Sequence, residues 1–231
     1  MATRARTQTL VDAVIPGAGL LRDALLVVAF TGLTAVFAQI AIRFPGTTVP
    51  ITGQTFGALV TGGALGGRRG AASMLLYALL GSFWLPLFAP SGSLLAKETF
   101  HFVLPWAGTQ RALWDLSSGG YIVGFVLAAY LVGKLAEKGW DRRSRVSLAM
   151  VLGNATVYLV GLPWLAFFIA SGAVIPGLDK TYYEYIAGSN VLDKTLRGGL
   201  YPFIAGDALK LLLASMVLPG AWVLVGRRKK T

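Results

Sequence analysis

The sequence has no cysteine and only one histidine, His101, among its 231 residues. Without cysteine the chain forms no disulfide, no thiolate metal site and no cysteine nucleophile. A single imidazole disfavours both a histidine-based metal site and a Ser-His-Asp triad. We therefore expect no metal, no cofactor and no catalytic residue, and we interpret His101 as an ordinary loop residue.

Charged residues are also scarce. They make up 13% of the chain, against about 25% in an average soluble domain. Hydrophobic residues make up 55%, and the mean hydropathy is +0.65. A soluble protein of this composition has too few polar groups to cover its surface. The composition excludes disordered, collagen-like and coiled-coil chains and indicates an integral membrane protein.

Nucleotide-binding and hydrolase motifs are absent as well. The sequence contains no G-x-x-x-x-G-K-[ST], no H-E-x-x-H and no G-x-S-x-G. The chain therefore lacks a P-loop of its own, and we do not expect it to be an enzyme.

Long apolar runs, separated by proline, glycine and charged residues, predict the fold. A spanning helix needs roughly 20 residues, so six spans fit comfortably in this chain. We predict an all-α integral membrane protein, with residues 1–231 forming one bundle of six transmembrane helices. The predicted spans are about 24–42, 51–65, 71–88, 119–135, 146–170 and 198–225.

Basic residues are distributed unevenly over the connections between these spans. Fourteen of the 21 Lys and Arg residues fall on the side of both termini, six fall on the other side, and Lys210 lies within the sixth span. Cytoplasmic loops accumulate Lys and Arg, so we predict a multi-pass plasma-membrane protein with both termini in the cytoplasm. This distribution accounts for the net charge of +11 without a nucleic-acid partner. We expect the lipid bilayer to surround the protein.

Two ionisable residues, Asp207 and Lys210, stand out within the sixth predicted span. They are three residues apart and share one helix face. Counting from residue 198, they lie roughly 13–18 Å below the outer boundary. Ionisable residues at such depth mark functional sites by default. The pair suits a small solute with N–H donors and a carbonyl or anionic group, and the alternative is a structural ion pair between helices.

Three further side chains fall at the outer parts of their spans: Gln54, Tyr121 and Trp164. Each has a structural alternative. Gln54 suits a hydrogen bond between helices, and the two aromatic residues suit a belt at the membrane interface.

Small residues four apart form faces that let helices approach closely. Thr31 and Ala35 are such a pair in the first span. They suit packing within the bundle or docking onto a membrane partner, and the spacing does not decide between the two.

Two stretches resemble the BioY family, the biotin-binding S components of energy-coupling-factor transporters: VPITGQTF at 49–56 and PFIAGDALK at 202–210. Shorter matches follow the family order at 63–66, 69–70, 85–88, 119–121, 124–125, 161 and 164–165. Where the family commonly has G-P-T-G-G-Y, this chain has LSSGGY at 116–121, and residues 93–115 form a longer segment than is usual.

The resemblance implies a six-helix bundle that takes up biotin through an outward-facing pocket. It implies that Asp207 and Lys210 contact biotin and that Tyr121 lines the pocket, with Gln54 and Trp164 as further candidates. It also implies docking of Thr31 and Ala35 onto a coupling transmembrane subunit, which works with ATPase subunits. Two alternatives stay open: an S component for another vitamin, such as thiamine or riboflavin, and an intramembrane enzyme that uses Asp207 as acid or base.

Overall fold

The computed structural model describes residues 8–90, 100–142 and 145–228. Six basic residues counted above lie outside these ranges: Arg4, Arg6, Lys97, Arg143, Lys229 and Lys230. Part of the long segment at 93–115 lies outside them as well.

Most of the described chain is helical. The α-helices are α1 Leu10–Val14, α2 Leu20–Ala38, α3 Gln54–Leu65, α4 Gly67–Phe83, α5 Gly119–Ala136, α6 Arg145–Ala170, α7 Tyr182–Tyr185, α8 Val191–Gly199 and α9 Ile204–Arg228. Two 3₁₀ turns lie at Leu113–Asp115 and Tyr201–Phe203. The strands are β1 Ala41–Ile42, β2 Ile51–Thr52 and β3 Phe100–His101.

Among the described residues, four helical stretches are long and apolar enough to cross a membrane: Leu20–Ala38, Gly119–Ala136, Arg145–Ala170 and Val191–Gly226. The helices α3 and α4 also match predicted spans but have only 12 and 17 residues. The first predicted span ran to residue 42, whereas α2 ends at Ala38 because the next residues turn into strand β1.

A small antiparallel sheet, with strand order β2-β1-β3, corrects the expectation of an all-α fold. Ala41 pairs with Thr52 on one side and with His101 on the other. The sheet therefore joins the connection between α2 and α3 to the connection between α4 and α5. His101 lies on a strand and is buried, contrary to the loop position expected for it.

Close helix packing depends on glycine in α3 and in the turn after it. Gly66 alone separates α3 from α4, and its φ of +84° is a conformation that L side chains rarely adopt. At Gly62 a Cβ atom would lie 2.4 Å from the carbonyl oxygen of Ala129, so α3 and α5 touch through backbone. Such contacts are typical of membrane bundles, in which small residues let backbones approach.

A polar cluster ties α1 to α4 at the end of the bundle opposite the small sheet. The Arg69 guanidinium donates to both carboxylate oxygens of Asp12, at 2.9 and 2.7 Å, and to Asp23 at 3.0 Å. Arg22 donates to the same Asp12 at 2.9 Å. Burial raises the pKa of Asp12, but the hydrogen bonds from Arg69, Thr9 and Arg22 outweigh it and hold the pKa well below its usual value.

The beginning of α9 differs from the sequence prediction. The sixth predicted span started at residue 198, but Gly198 and Gly199 end α8, and Pro202 lies in a 3₁₀ turn before α9. Because α9 starts at Ile204, Asp207 lies in its first turn and Lys210 in its second. The two residues therefore lie nearer the start of their helix than the count from residue 198 assumes.

Candidate functional site

A cavity of about 470 Å³ opens at the end of the bundle that carries the small sheet. Its walls come from the start of α3, the start of α5, the middle of α6 and the start of α9, together with the loops around them. Its volume is within the usual range for small-molecule sites, about 300–1,000 Å³.

Asp207 and Lys210 lie in the cavity wall and form an ion pair, with 2.9 Å between Nζ and Oδ1. The second carboxylate oxygen, Oδ2, accepts from the side-chain amide of Asn154 at 3.1 Å and from the hydroxyl of Tyr158 at 2.5 Å. Both donors come from the middle of α6. The carboxylate is thus held by three donors from two helices, which fixes its position without filling the cavity.

Asn154 carries the interhelical contact that its polar side chain suggests, and it also lines the cavity. Its amide nitrogen faces the carboxylate of Asp207, because an amide oxygen in that place would be repelled. Its own Oδ1 is buried and accepts no hydrogen bond within the described chain. A buried acceptor of this kind is unusual and is suited to a ligand donor.

Tyr121 lies in the first turn of α5 and lines the cavity. Its hydroxyl donates to the carbonyl oxygen of Gly199 at 2.9 Å. Its ring stacks on Phe203, with 6.4 Å between centroids, and meets Tyr158 edge-on at 6.0 Å. Tyr121 and its aromatic neighbours therefore give one wall of the cavity a flat apolar surface next to the ion pair.

Gln54 also lines the cavity, at the start of α3. Its oxygen accepts from the Thr52 hydroxyl at 2.8 Å, and its nitrogen donates to the Tyr77 hydroxyl at 2.5 Å. Tyr77 donates in turn to the carbonyl oxygen of Leu87 at 3.1 Å. These bonds connect the cavity wall to the chain that follows α4.

Trp164 is the exception among the candidate ligand residues, because it does not line the cavity. Its indole N–H donates to the carbonyl oxygen of Leu116 at 2.9 Å. A Cβ at Gly120 would lie 2.3 Å from that of Trp164, so the indole packs tightly against α5. The residue fastens the loop before α5, and Leu116 in that loop does line the cavity.

Thr31 and Ala35 lie on the inner side of α2, with 3% and 2% of their surface exposed. The Thr31 hydroxyl is 2.9 Å from the carbonyl oxygen of Ser73 in α4 and donates to it. Gly32 lies on the opposite, open side, where a Cβ would meet nothing within 4 Å. The pair thus packs within the bundle here, and its docking role stays a prediction.

Several cavity residues were not singled out from the sequence. Tyr158 has no sequence feature that sets it apart from other tyrosines of a membrane helix. Tyr182, Arg43 and Arg111 lie in connections between the long helices, and no sequence pattern predicts that these connections meet at one cavity. Burial raises the pKa of Tyr182, against the opposing effects of its hydrogen bond with Ser117 and the charge of Arg111. Arg111 is thus close to a buried phenol of the cavity wall.

The side chains that line the cavity are suited to binding a small molecule by hydrogen bonds and apolar contact. Within residues 8–90, 100–142 and 145–228, no three His, Cys, Asp or Glu side chains converge to hold a metal ion. The cavity instead brings together the Asp207–Lys210 ion pair, the unfilled amide acceptor of Asn154, a set of aromatic rings and the charged side chains of Arg43, Arg111 and Asp115.

The sequence profile of the BioY family matches residues 5–111 and 112–227 of this chain. The chain belongs to the BioY family. The two matched ranges together cover nearly the whole sequence, including the cavity walls contributed by both halves.

Named BioY relatives agree in length as well as sequence. The "Probable biotin transporter BioY" of Pyrococcus horikoshii is 29% identical over 196 residues, which cover 85% of this chain and 93% of the relative. The "Biotin transporter BioY" of Thermotoga maritima is 28% identical over 192 residues, covering 81% and 88%. These relatives are named as transporters and not as enzymes.

A solved structure has a similar fold. The S-component for biotin from an ECF-type ABC transporter superposes with a TM-score of 0.63, covers 91% of this chain and 92% of its own, and is 20% identical. This likeness concerns the arrangement of the helices.

Proposed function

We propose that this BioY chain is the biotin-binding S component of an energy-coupling-factor transporter and takes up biotin across the plasma membrane. The names of its relatives support the ligand and the transport role. The fold of the biotin S-component supports the architecture. In this proposal six helices span the membrane: α2, α3, α4, α5, α6 and α9. The shortest of them, α3, is almost entirely buried inside the bundle.

The observation that carries the proposal is the Asp207–Lys210 pair in the cavity wall. Biotin has a ureido group with two N–H donors and one carbonyl oxygen. A carboxylate accepts the N–H groups, and an ammonium donates to the carbonyl. The apolar bicyclic ring of biotin suits a wall built from Tyr121 and Phe203.

The site residues follow from the same chemistry. Asp207 and Lys210 contact biotin directly, and Tyr121 packs against it. Gln54, already engaged with Thr52 and Tyr77, shapes the wall from α3. Trp164 contributes through Leu116 and without touching the ligand.

Orientation in the membrane follows from the charge distribution. Arg22, Arg68 and Arg69, like the carboxyl-terminal end of α9, belong to the end opposite the cavity. By the positive-inside rule that end is cytoplasmic, and the cavity opens to the outside. The chain has no P-loop, so energy comes from partner ATPases through a coupling transmembrane subunit. Docking by Thr31 and Ala35 then requires the α2–α4 contact to open.

Equilibrium binding of labelled biotin to the purified, detergent-solubilised chain tests the proposal. We expect saturable binding at about one biotin per chain, competed by unlabelled biotin and not by thiamine or riboflavin. Asp207→Asn and Lys210→Ala each weaken binding at least tenfold, since hydrogen bonds to charged groups are worth about 1.5–3 kcal/mol. Arg68→Gln, at the opposite end and exposed, is the matched control and leaves affinity unchanged.

Folding of each variant is checked by its melting temperature without ligand. Two results overturn the proposal. One is a folded wild-type chain that binds thiamine or riboflavin in place of biotin. The other is unchanged biotin affinity in both variants of the ion pair.

A further inference from the structure

The charged side chains that line the cavity fall into two groups. Asp207 and Lys210 form the inner group, on the first two turns of α9 and against the middle of α6. Arg43, Arg111 and Asp115 form the rim, in the connections at the sheet end of the bundle. The two groups differ in how far their charges are already compensated.

The charges of the inner group are already compensated within the protein. Lys210 donates to one oxygen of Asp207, and Asn154 and Tyr158 donate to the other. A carboxylate of a ligand entering here would meet the negative charge of Asp207 beside the single cation. A neutral group that both donates and accepts suits the inner group better, because it satisfies the carboxylate and the ammonium together.

The buried Oδ1 of Asn154 points to the same kind of group. It is an acceptor beside the Asp207 carboxylate and has no donor within the described chain. Two acceptors and one ammonium therefore line the inner wall. A urea-like group, with two N–H bonds and one carbonyl, matches all three.

The positive charges of the two rim arginines are not compensated in this way. Within residues 8–90, 100–142 and 145–228, neither Arg43 nor Arg111 has a carboxylate within ion-pair distance. Asp115 is the only acidic residue of the described chain that shares the rim, and it is exposed. Two uncompensated guanidinium groups thus lie on the rim of a cavity whose inner end is neutral.

The backbone that carries the two arginines is anchored by hydrogen bonds. Arg43 directly follows strand β1, which pairs with β2 and with β3. The backbone N–H of Arg111 donates to the carbonyl oxygen of Gly81 at 3.2 Å, and Thr109 forms a bridge with Phe88 just before it. Guanidinium groups bind carboxylates with paired, charge-assisted hydrogen bonds, so two of them that line one cavity without an ion-pair partner suit the carboxylate of a ligand.

We infer that Arg43 and Arg111 form a carboxylate subsite at the cavity rim, while the neutral hydrogen-bonding head of the ligand goes inward to Asp207, Lys210 and Asn154. This inference rests on the proposed function and adds the direction in which the ligand lies. For biotin, the ureido ring is innermost and the valerate carboxylate is at the rim.

Biotin and biotinamide, in which a neutral amide replaces the carboxylate, separate the two ends of the site. We expect the wild-type chain to bind biotin at least tenfold more tightly than biotinamide. In the double variant Arg43→Gln/Arg111→Gln, biotin affinity falls to that of biotinamide, and biotinamide affinity stays as in the wild type. Lys210→Gln weakens both compounds by a similar factor, because both carry the ureido ring.

Lys180→Gln is the control for general attraction of anions. Lys180 is exposed, belongs to the same end of the bundle and does not line the cavity. We expect it to leave both affinities unchanged. If the double variant does not fold, the single variants Arg43→Gln and Arg111→Gln are measured, each with an expected partial loss of the preference for biotin.

The outcomes distinguish this inference from the proposed function. Equal binding of biotin and biotinamide by the wild type overturns the carboxylate subsite and leaves biotin binding intact. A preference for biotin that survives in the arginine variants and vanishes in Lys210→Gln overturns the direction. Absence of binding of either compound by the folded wild type overturns the proposed function, and the inference with it.

Discussion

The hydroxyl of Tyr158 donates to Oδ2 of Asp207 across 2.5 Å and thereby connects the middle of α6 to the first turn of α9. The two residues are 49 positions apart in the sequence. The contact means that the carboxylate of the candidate site is oriented from a helix other than its own.

Removal of that hydroxyl is expected to weaken ligand binding without emptying the site. Tyr158→Phe keeps the ring that meets Tyr121 edge-on but removes one donor to a charged acceptor. We expect the biotin dissociation constant to rise about tenfold, equivalent to about 1.4 kcal/mol. Titration with labelled biotin measures it. Tyr130→Phe, at an exposed position of α5 outside the cavity, should bind like the wild type; equal affinity of both variants would contradict the prediction.

The backbone contact between α3 and α5 is expected to tolerate no added methyl group. A Cβ at Gly62 would lie 2.4 Å from the carbonyl oxygen of Ala129. Gly62→Ala must therefore push the helices apart, which costs about 1–3 kcal/mol and lowers the melting temperature in detergent. Gly32→Ala is the matched control, because its Cβ meets nothing within 4 Å, and alanine favours a helix. A Gly62→Ala chain as stable as Gly32→Ala would contradict the close approach.

The polar cluster that ties α1 to α4 is expected to depend on Arg69 and not on the neighbouring Arg68. Arg69 donates to Asp12, Asp23 and the Thr9 hydroxyl, whereas Arg68 is exposed. Since the chain has no cysteine, Val11→Cys, at a buried position of α1, reports release of α1 by thiol labelling. At neutral pH, we expect Arg69→Gln to speed labelling at least tenfold and Arg68→Gln to leave it unchanged.

The same polar cluster around Asp12 is expected to weaken in acid. In the folded protein the pKa of Asp12 is held below its ordinary value of 3.8 by the hydrogen bonds from Arg69, Thr9 and Arg22. A lowered pKa stabilises the folded form fully above that ordinary value and progressively less as the pH falls below it. The labelling rate of Val11→Cys, divided at each pH by the rate of a free thiol because only the thiolate reacts, should therefore be low and constant at pH 5 and above, and should rise below about pH 4. Acceleration between pH 7 and pH 5 would contradict the assignment to Asp12.

The two sides of α2 are expected to react differently with a lipid-soluble maleimide. Gly32→Cys faces open space, and Ala35→Cys is buried against the bundle. We expect rapid labelling at position 32 and at least tenfold slower labelling at position 35 in the isolated chain. Similar rates would mean that Ala35 is accessible without a partner.

Sequence reasoning located the Asp207–Lys210 pair because ionisable residues are conspicuous in apolar stretches, and a spacing of three brings them together on a helix. It placed the start of their helix too early, because apolar residues continue through the end of α8 and the 3₁₀ turn before α9. Hydropathy alone does not distinguish a continuous helix from two helices with a break.

Other parts of the site depend on contacts that have no local pattern. A spacing of four defined the face shared by Thr31 and Ala35 but not whether it turns inward. The strands have two residues each, too few for any alternation to be detected. No sequence pattern therefore indicates that Arg43 and Arg111 line the same cavity.

The two sides of the cavity mouth are held by different numbers of backbone pairings, because the strand order β2-β1-β3 belongs to one side only. On one side, strand β1 pairs with β2 in the same connection and with β3 in the connection between α4 and α5. The other side, in the connection between α6 and α7, is closed by a local bridge of Val174 and Thr181. Displacing the first side breaks pairings in two connections at once, whereas displacing the second disturbs one hairpin. The connection between α6 and α7 is thus the side of the mouth that is held by fewer backbone pairings.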